Sequence, residues 1–218
     1  MIAYIQYKLF NQKSKLLQKY YSVGKGYNKL KEKISPDTSI ICNNCFGAKI
    51  SKNLHYRYNS PTVGLFFMYP DYIVFLEDLK HYLSAPLSFK NFSKYDNVNE
   101  ARKKKQYPIG SLTYKGHEVE IEFMHYRSEA EAKEKWERRC KRVSFKKLLV
   151  IGSEVDHCNN NDIVRFMNLN YEDKLFLGKK KKNLSKGIYC YAKILSSPYF
   201  KDLYTQAHFA FKFLLKRC

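Results

Sequence analysis

The sequence predicts an α/β domain on a mixed, mostly parallel sheet, with flanking helices and one antiparallel hairpin. Three observations point there. The short apolar runs "TSIIC", "KKLLVIG" and "KLFLG" each stop at asparagine, serine or glycine, as buried strands feeding loops do. Segments with apolar residues at helical spacing separate them. The stretch "IGSLTYKGHEVEIEFMHY" alternates apolar and polar residues about a Lys115-Gly116 turn, the pattern of a hairpin.

Taken in chain order, residues 1–34 mix Tyr4, Leu9, Leu16, Leu17 and Tyr20 with many lysines and break at Gly24 and Gly26. They read as a basic amphipathic helical appendage to a single α/β domain over residues 35–218. "TSIIC" is the first strand, and Asn43, Asn44 and Gly47 turn the chain out of it. Pro70 suits the first turn of a helix over Asp71–Leu83, whose stripe is Ile73, Phe75, Leu76, Leu79 and Leu83. "SFKNFSKYDNVNEARKKKQYP" has no clear period and reads as a surface excursion. In the hairpin, Val119, Ile121, Phe123 and His125 share the buried stripe, and Glu118, Glu120 and Glu122 the face expected to meet solvent. Ser128 caps the next helix, with Glu131 closing the capping box. Glu129-Lys133, Glu131-Lys135 and Glu134-Arg138 lie four apart in the favoured order. "KKLLVIG" precedes the polar loop "SEVDHCNNND" and a helix with Ile163, Phe166 and Met167, "KLFLG" repeats strand then glycine, and Pro198–Lys216 reads as a terminal amphipathic helix.

The 218 residues carry 40 Lys and Arg against 20 Asp and Glu, a formal charge of +20 that gathers phosphorylated metabolites, anionic lipid or nucleic acid. Helix-turn-helix, zinc-finger and RNP signatures are missing, so nucleic acid ranks last of the three. No apolar stretch is long enough to span a bilayer, and Met1–Ile34 lacks a signal peptide's apolar region; a cytoplasmic protein is expected, peripheral at the inner face of the membrane through residues 1–34. Cys42 and Cys45 form the chain's one CxxC, without the second pair or HxxxH that zinc would want, and the asparagines between them supply no thiolate stabiliser. Cys42 reads as a small buried residue, with Asn43 and Asn44 shaping the loop or bonding a ligand. "GLFFMYP" is no phosphate loop and no GxGxxG follows the first strand, so no metal and no cofactor is expected. In open α/β sheets ligands sit beyond the carboxyl ends of the strands, which marks Asn43–Gly47, His125–Ser128 and Ser153–Asn161.

Three blocks, "SIICNNCFGAKI", "YNSPTVGLFFMYPDYIVFLEDLKHYL" and "PIGSL" through "EIEFMHYRSEAEAKEKWERRCKRV" to "DHCNNNDIVRFMNL", resemble the bacterial domain of unknown function family 1919, often labelled exopolysaccharide biosynthesis proteins. The resemblance covers about residues 35 to 180 and implies an α/β fold and a setting in exopolysaccharide or capsular polysaccharide synthesis. It places motif positions at Asn43, Asn44, Cys45 and Gly47, at Asn59, Ser60, Thr62 and Gly64, at His125, Tyr126, Ser128, Trp136 and Arg139, and at Asp156 and Cys158.

On these grounds the leading expectation is a transferase acting on a sugar nucleotide or lipid-linked sugar, with a nucleotide-sugar as substrate. His125 or Asp156 would take the proton of an acceptor hydroxyl, and Arg139 or Arg142 would clamp a diphosphate. A noncatalytic module docked on an anionic membrane by residues 1–34, and a nucleic-acid binder, are the alternatives.

Overall fold

In the computed structural model, residues 2–182, 188–196 and 203–216 are described. The three apolar runs are strands β1 (Ser39–Cys42), β5 (Leu148–Ser153) and β6 (Asp173–Gly178). With β7 (Ile188–Tyr191), which the sequence reading did not foresee, they form a parallel sheet in the order β1-β5-β6-β7. Ile41 pairs with Val150, Ile151 with Leu175 and Leu177 with Cys190. Successive side chains of a strand point to opposite faces, and here both faces are covered, so the runs are apolar without a gap.

One face carries Ile40, Cys42, Leu149, Ile151, Leu175 and Leu177. It packs on α3 (Phe46–Asn53) and α9 (Ala207–Leu214), with α1 (Ile2–Ser22) and α2 (Lys25–Lys33) outside them. Residues 1–34 thus join the core through Tyr21, Leu30 and Ile34, and Phe10 stacks on Phe209 at 4.8 Å. Part of the expected terminal helix, residues 198–202, lies outside the described residues.

Ile41, Val150 and Phe176 on the other face meet α4 (Tyr69–Glu77) and α8 (Asn160–Asn168). Helix α4 is buried along most of its length, apart from Glu77, because it is wedged between the parallel sheet and a second, antiparallel sheet. Its Tyr72 hydroxyl contacts the carbonyls of Ile151 at 2.9 Å and Ile41 at 3.2 Å, tying helix to strands. The helix expected over Asp71–Leu83 is in fact two, α4 and α5 (Leu79–Ser84), broken at Asp78. The Tyr171 hydroxyl takes up the Leu76 carbonyl, an acceptor that an unbroken helix would use itself, so the break leaves it satisfied.

The hairpin is β3 (Ile109–Tyr114) and β4 (His117–Glu122). Lys115 (φ 49°) and Gly116 (φ 76°) are both left-handed, as a two-residue primed turn requires. It gains a third strand, β2 (Ser88–Lys90), and the supposed surface excursion also contains α6 (Asp96–Lys104). That segment covers the acidic face of β4, so Glu120 and Glu122 are fully buried rather than solvated. His125 departs in the other sense: the chain leaves the strand after Glu122, and the His125 side chain is exposed outside the buried stripe.

Helix α7 (Glu129–Cys140) starts as expected, with Ser128 Oγ accepting from the Glu131 amide. The Glu131 carboxylate reaches one residue further back than a capping box, to the Arg127 amide at 2.8 Å. The Glu131-Lys135 and Glu134-Arg138 ion pairs form, and Ala132, Trp136 and Arg139 are the buried side.

Strand β1 lies at the end of its sheet, and a side chain occupies the neighbouring strand's place. Thr62 Oγ1 donates to the Ile40 carbonyl at 3.3 Å and accepts from the Cys42 amide at 3.2 Å, the two groups that a parallel partner would use. Thr62→Val keeps the shape and leaves both groups buried and unmet, so it should cost about 1–3 kcal/mol in urea unfolding.

Candidate functional site

Loops leave the carboxyl ends of β1, β5 and β6 on one side of the parallel sheet. After β1, the buried Asn43 accepts at Oδ1 from the Ser153 hydroxyl (3.0 Å) and amide (3.2 Å). Asn44 Nδ2 donates to Ser153 Oγ at 2.7 Å, and Asn44 Oδ1 receives the Phe46 amide at the start of α3. The adjacent asparagines therefore lock the ends of β1 and β5 and start a helix. Cys42 is fully buried, which pushes its thiol up to about 11, so it is protonated at neutral pH. Cys45 is buried toward the Leu65 carbonyl, and Gly47 packs so closely on β1 that a Cβ would lie 2.9 Å from that of Cys42.

The loop after β5 is the strained one. Asp156 (φ 53°) and His157 (φ 67°) are consecutive left-handed residues and neither is glycine. Such backbone persists only where the surroundings enforce it. Here the Asp156 carbonyl accepts from the Tyr69 amide at 2.7 Å, and Asn159 with Asp162 forms a capping box on α8 two residues beyond His157. Burial raises the Asp156 carboxyl to about 6, against the lowering pull of His157 and Lys179. Lys179 begins the lysine run after β6, and Lys182 at its end donates to Asn160 in the first turn of α8.

Behind Asp156 lies the acidic face of β4. Glu120 is saturated: Lys90 Nζ (2.6 Å), the Ser93 hydroxyl (2.5 Å) and the Lys94 amide all donate to it. Asp71, in the first turn of α4, takes the Glu120 amide at 2.8 Å, Lys94 Nζ at 2.7 Å and the Tyr95 hydroxyl. Glu122 differs: both its oxygens are buried with no hydrogen-bond partner among the described residues. Burial holds its carboxyl well above the usual range, and the charges of Asp71, Glu120 and Asp156 push the same way. The Tyr95 ring closes the arrangement edge-on against His157, 6.0 Å between centroids. Among the described residues no three His, Cys, Asp or Glu are grouped as a metal would need.

The sequence-marked positions fall into two groups. Asn43, Asn44 and Asp156 share the carboxyl edge with Ser153. Cys45 and Gly47 follow at the start of α3 and Cys158 lies just past Asp156, while the others lie on the outer flank of β1, where the Tyr126 hydroxyl donates to the Val63 carbonyl and accepts from Arg139 at 2.6 Å. Arg139 is buried there over the Tyr58 ring, so its guanidinium binds the protein itself. Ser60 and Thr62 cover the β1 edge, the half-buried Asn59 donates to the Pro36 carbonyl, Ser128 caps α7, and the His125 amide bonds to Gly64. Asp71, Tyr95 and Glu122 went unmarked in the sequence. One signal points to them: a solvated strand face in a chain with 40 basic and 20 acidic residues should carry lysines, and three glutamates in a row there imply a basic cover.

Among known proteins, the model of the family described as domain of unknown function (DUF1919) matches residues 13–209. A Haemophilus influenzae protein named only as uncharacterized is 33% identical over 151 residues, 69% of this chain and 66% of the relative, so the chain spans just under two thirds of that relative's length.

An acid whose folded pKa lies above its unfolded one costs no stability below the unfolded value, near 3.8 for Asp156, and its full penalty above about 6. Asp156→Asn removes that penalty, and asparagine tolerates the left-handed backbone well. The variant should be more stable than the parent at about pH 7.5, by on the order of 1–3 kcal/mol, and equal to it near pH 4, as thermal melts across pH will read.

Proposed function

The chain belongs to the family of domains of unknown function DUF1919, whose match spans the whole carboxyl edge of the parallel sheet, and from that premise we propose that it is a transferase of exopolysaccharide assembly acting there on a phosphorylated or nucleotide-linked sugar. The observation that carries this reading is Asp156, a carboxylate at about 6 on strained backbone at the mouth of the sheet, within the field of Lys179. A general base works best with a pKa close to the working pH, and Asp156 is ionised at neutral pH yet far more basic than an ordinary aspartate.

In the proposed step an acceptor hydroxyl yields its proton to Asp156 as its oxygen attacks the anomeric carbon of the sugar. The bond from that carbon to the phosphate oxygen breaks, and the phosphate leaves with the electron pair. Lys179 to Lys182, beside the α8 N-terminus, meet its negative charge. Burial disfavours the charged form of Glu122, which lessens the like charge beside Asp156. Arg139 and His125, on the outer flank of β1, take no part in this step.

Among nucleotide-sugars screened by thermal shift, at least one should raise the melting temperature by several degrees when at about 100 times its Kd. Lys179→Ala with Lys182→Ala should abolish that shift. Asp156→Asn should keep it while lowering turnover about 10²–10⁴-fold. If no activated sugar moves the transition, the proposal fails.

A further inference from the structure

We propose that the outer face of α1 docks on an anionic phospholipid bilayer, an inference that stands apart from the reading of the carboxyl edge. One side of the helix is used up inside the protein, where Phe10, Leu17 and Tyr21 pack into the core with α9. On another side Ile5, Leu9 and Leu16 are 50%, 59% and 70% exposed. At about 100° per residue these three project within about 40° of one another, so they form a single apolar line along the axis. Tyr20 and Val23, 38% and 76% exposed, carry it past the helix end.

Charge complementarity selects the occupant. Lys8, Lys15 and Lys19 flank the line on one side and Lys13 on the other, and residues 1 to 31 contain no Asp or Glu. Bare aliphatic side chains between lysines gain nothing on nucleic acid, whose phosphates and bases offer them little to bury against. At a bilayer surface the same side chains enter the acyl boundary while the lysine stems reach up to anionic headgroups. Lys13 also lines a cleft of about 540 Å³ between α1, β7 and α9, where Phe10, Phe209 and Phe213 stand beside Lys193 and Lys212. That cleft repeats the pairing of apolar wall and cationic rim.

The test is flotation of the full chain with vesicles. Binding is expected to phosphatidylcholine vesicles holding about 30 mol% phosphatidylglycerol, weakening as salt rises, with at least about ten-fold less binding to pure phosphatidylcholine. Leu9→Glu with Leu16→Glu should reduce binding about ten-fold or more, and because both positions are exposed the melting curve should match the parent's. Absence of flotation with the anionic vesicles, or unchanged binding by the double variant, overturns the proposal. So does a light-scattering mass of two chains that falls to one in the double variant, since the face would then be covered by a second copy.

Discussion

The acidic side of the candidate site is held by where β4 places Glu120. A carboxylate without access to water costs several kcal/mol unless charge and hydrogen bonds meet it. The groups that meet it are Lys90 Nζ at the end of β2 and the Ser93 hydroxyl and Lys94 amide on the stretch from there to α6. Of that stretch's two aromatic residues Phe92 is exposed, and only Tyr95 packs on the core. The buried charge holds it down, and in doing so it covers Glu122 and sets Tyr95 between Asp71 and His157.

The consequence is an uneven distribution of protons. Glu120 and Asp71 are fully bonded and spend their charge on structure. Glu122, whose oxygens have no hydrogen-bond partner among the described residues, is driven toward its protonated form, while Asp156, one loop away and less enclosed, is raised to about 6. Carboxyls of the same chemistry are thereby driven apart in acidity by their surroundings alone. The left-handed backbone at Asp156 and His157 belongs to the same arrangement: it is a conformation the loop would not choose for itself, enforced by the Tyr69 amide on one side and the α8 cap on the other.

What the sequence disclosed and withheld divides along physical lines. Strands covered on both faces announce themselves as unbroken apolar runs, and α7 announces its start through Ser128, so β1, β5, β6 and α7 were all legible. A period of two shows that β4 has two faces and says nothing of what lies over each, which is why Glu120 and Glu122 were assigned to solvent. The break between α4 and α5 depends on a hydroxyl at Tyr171, a partner no local pattern can supply. Asp156 was reachable because loops after parallel strands are where α/β proteins bind ligands. Glu122 was not, because its importance lies in contacts it fails to make. Arg139 was read from its charge as a phosphate clamp, and its burial beside Tyr126 shows the limit of reading a cation by type alone.

One small feature bears on how copies of this chain behave together. Because the Thr62 hydroxyl stands in for an absent strand, the rim of the sheet at β1 offers no row of open amides and carbonyls where it is covered. A second copy approaching that rim would find those two groups already taken, which disfavours strand-to-strand pairing there.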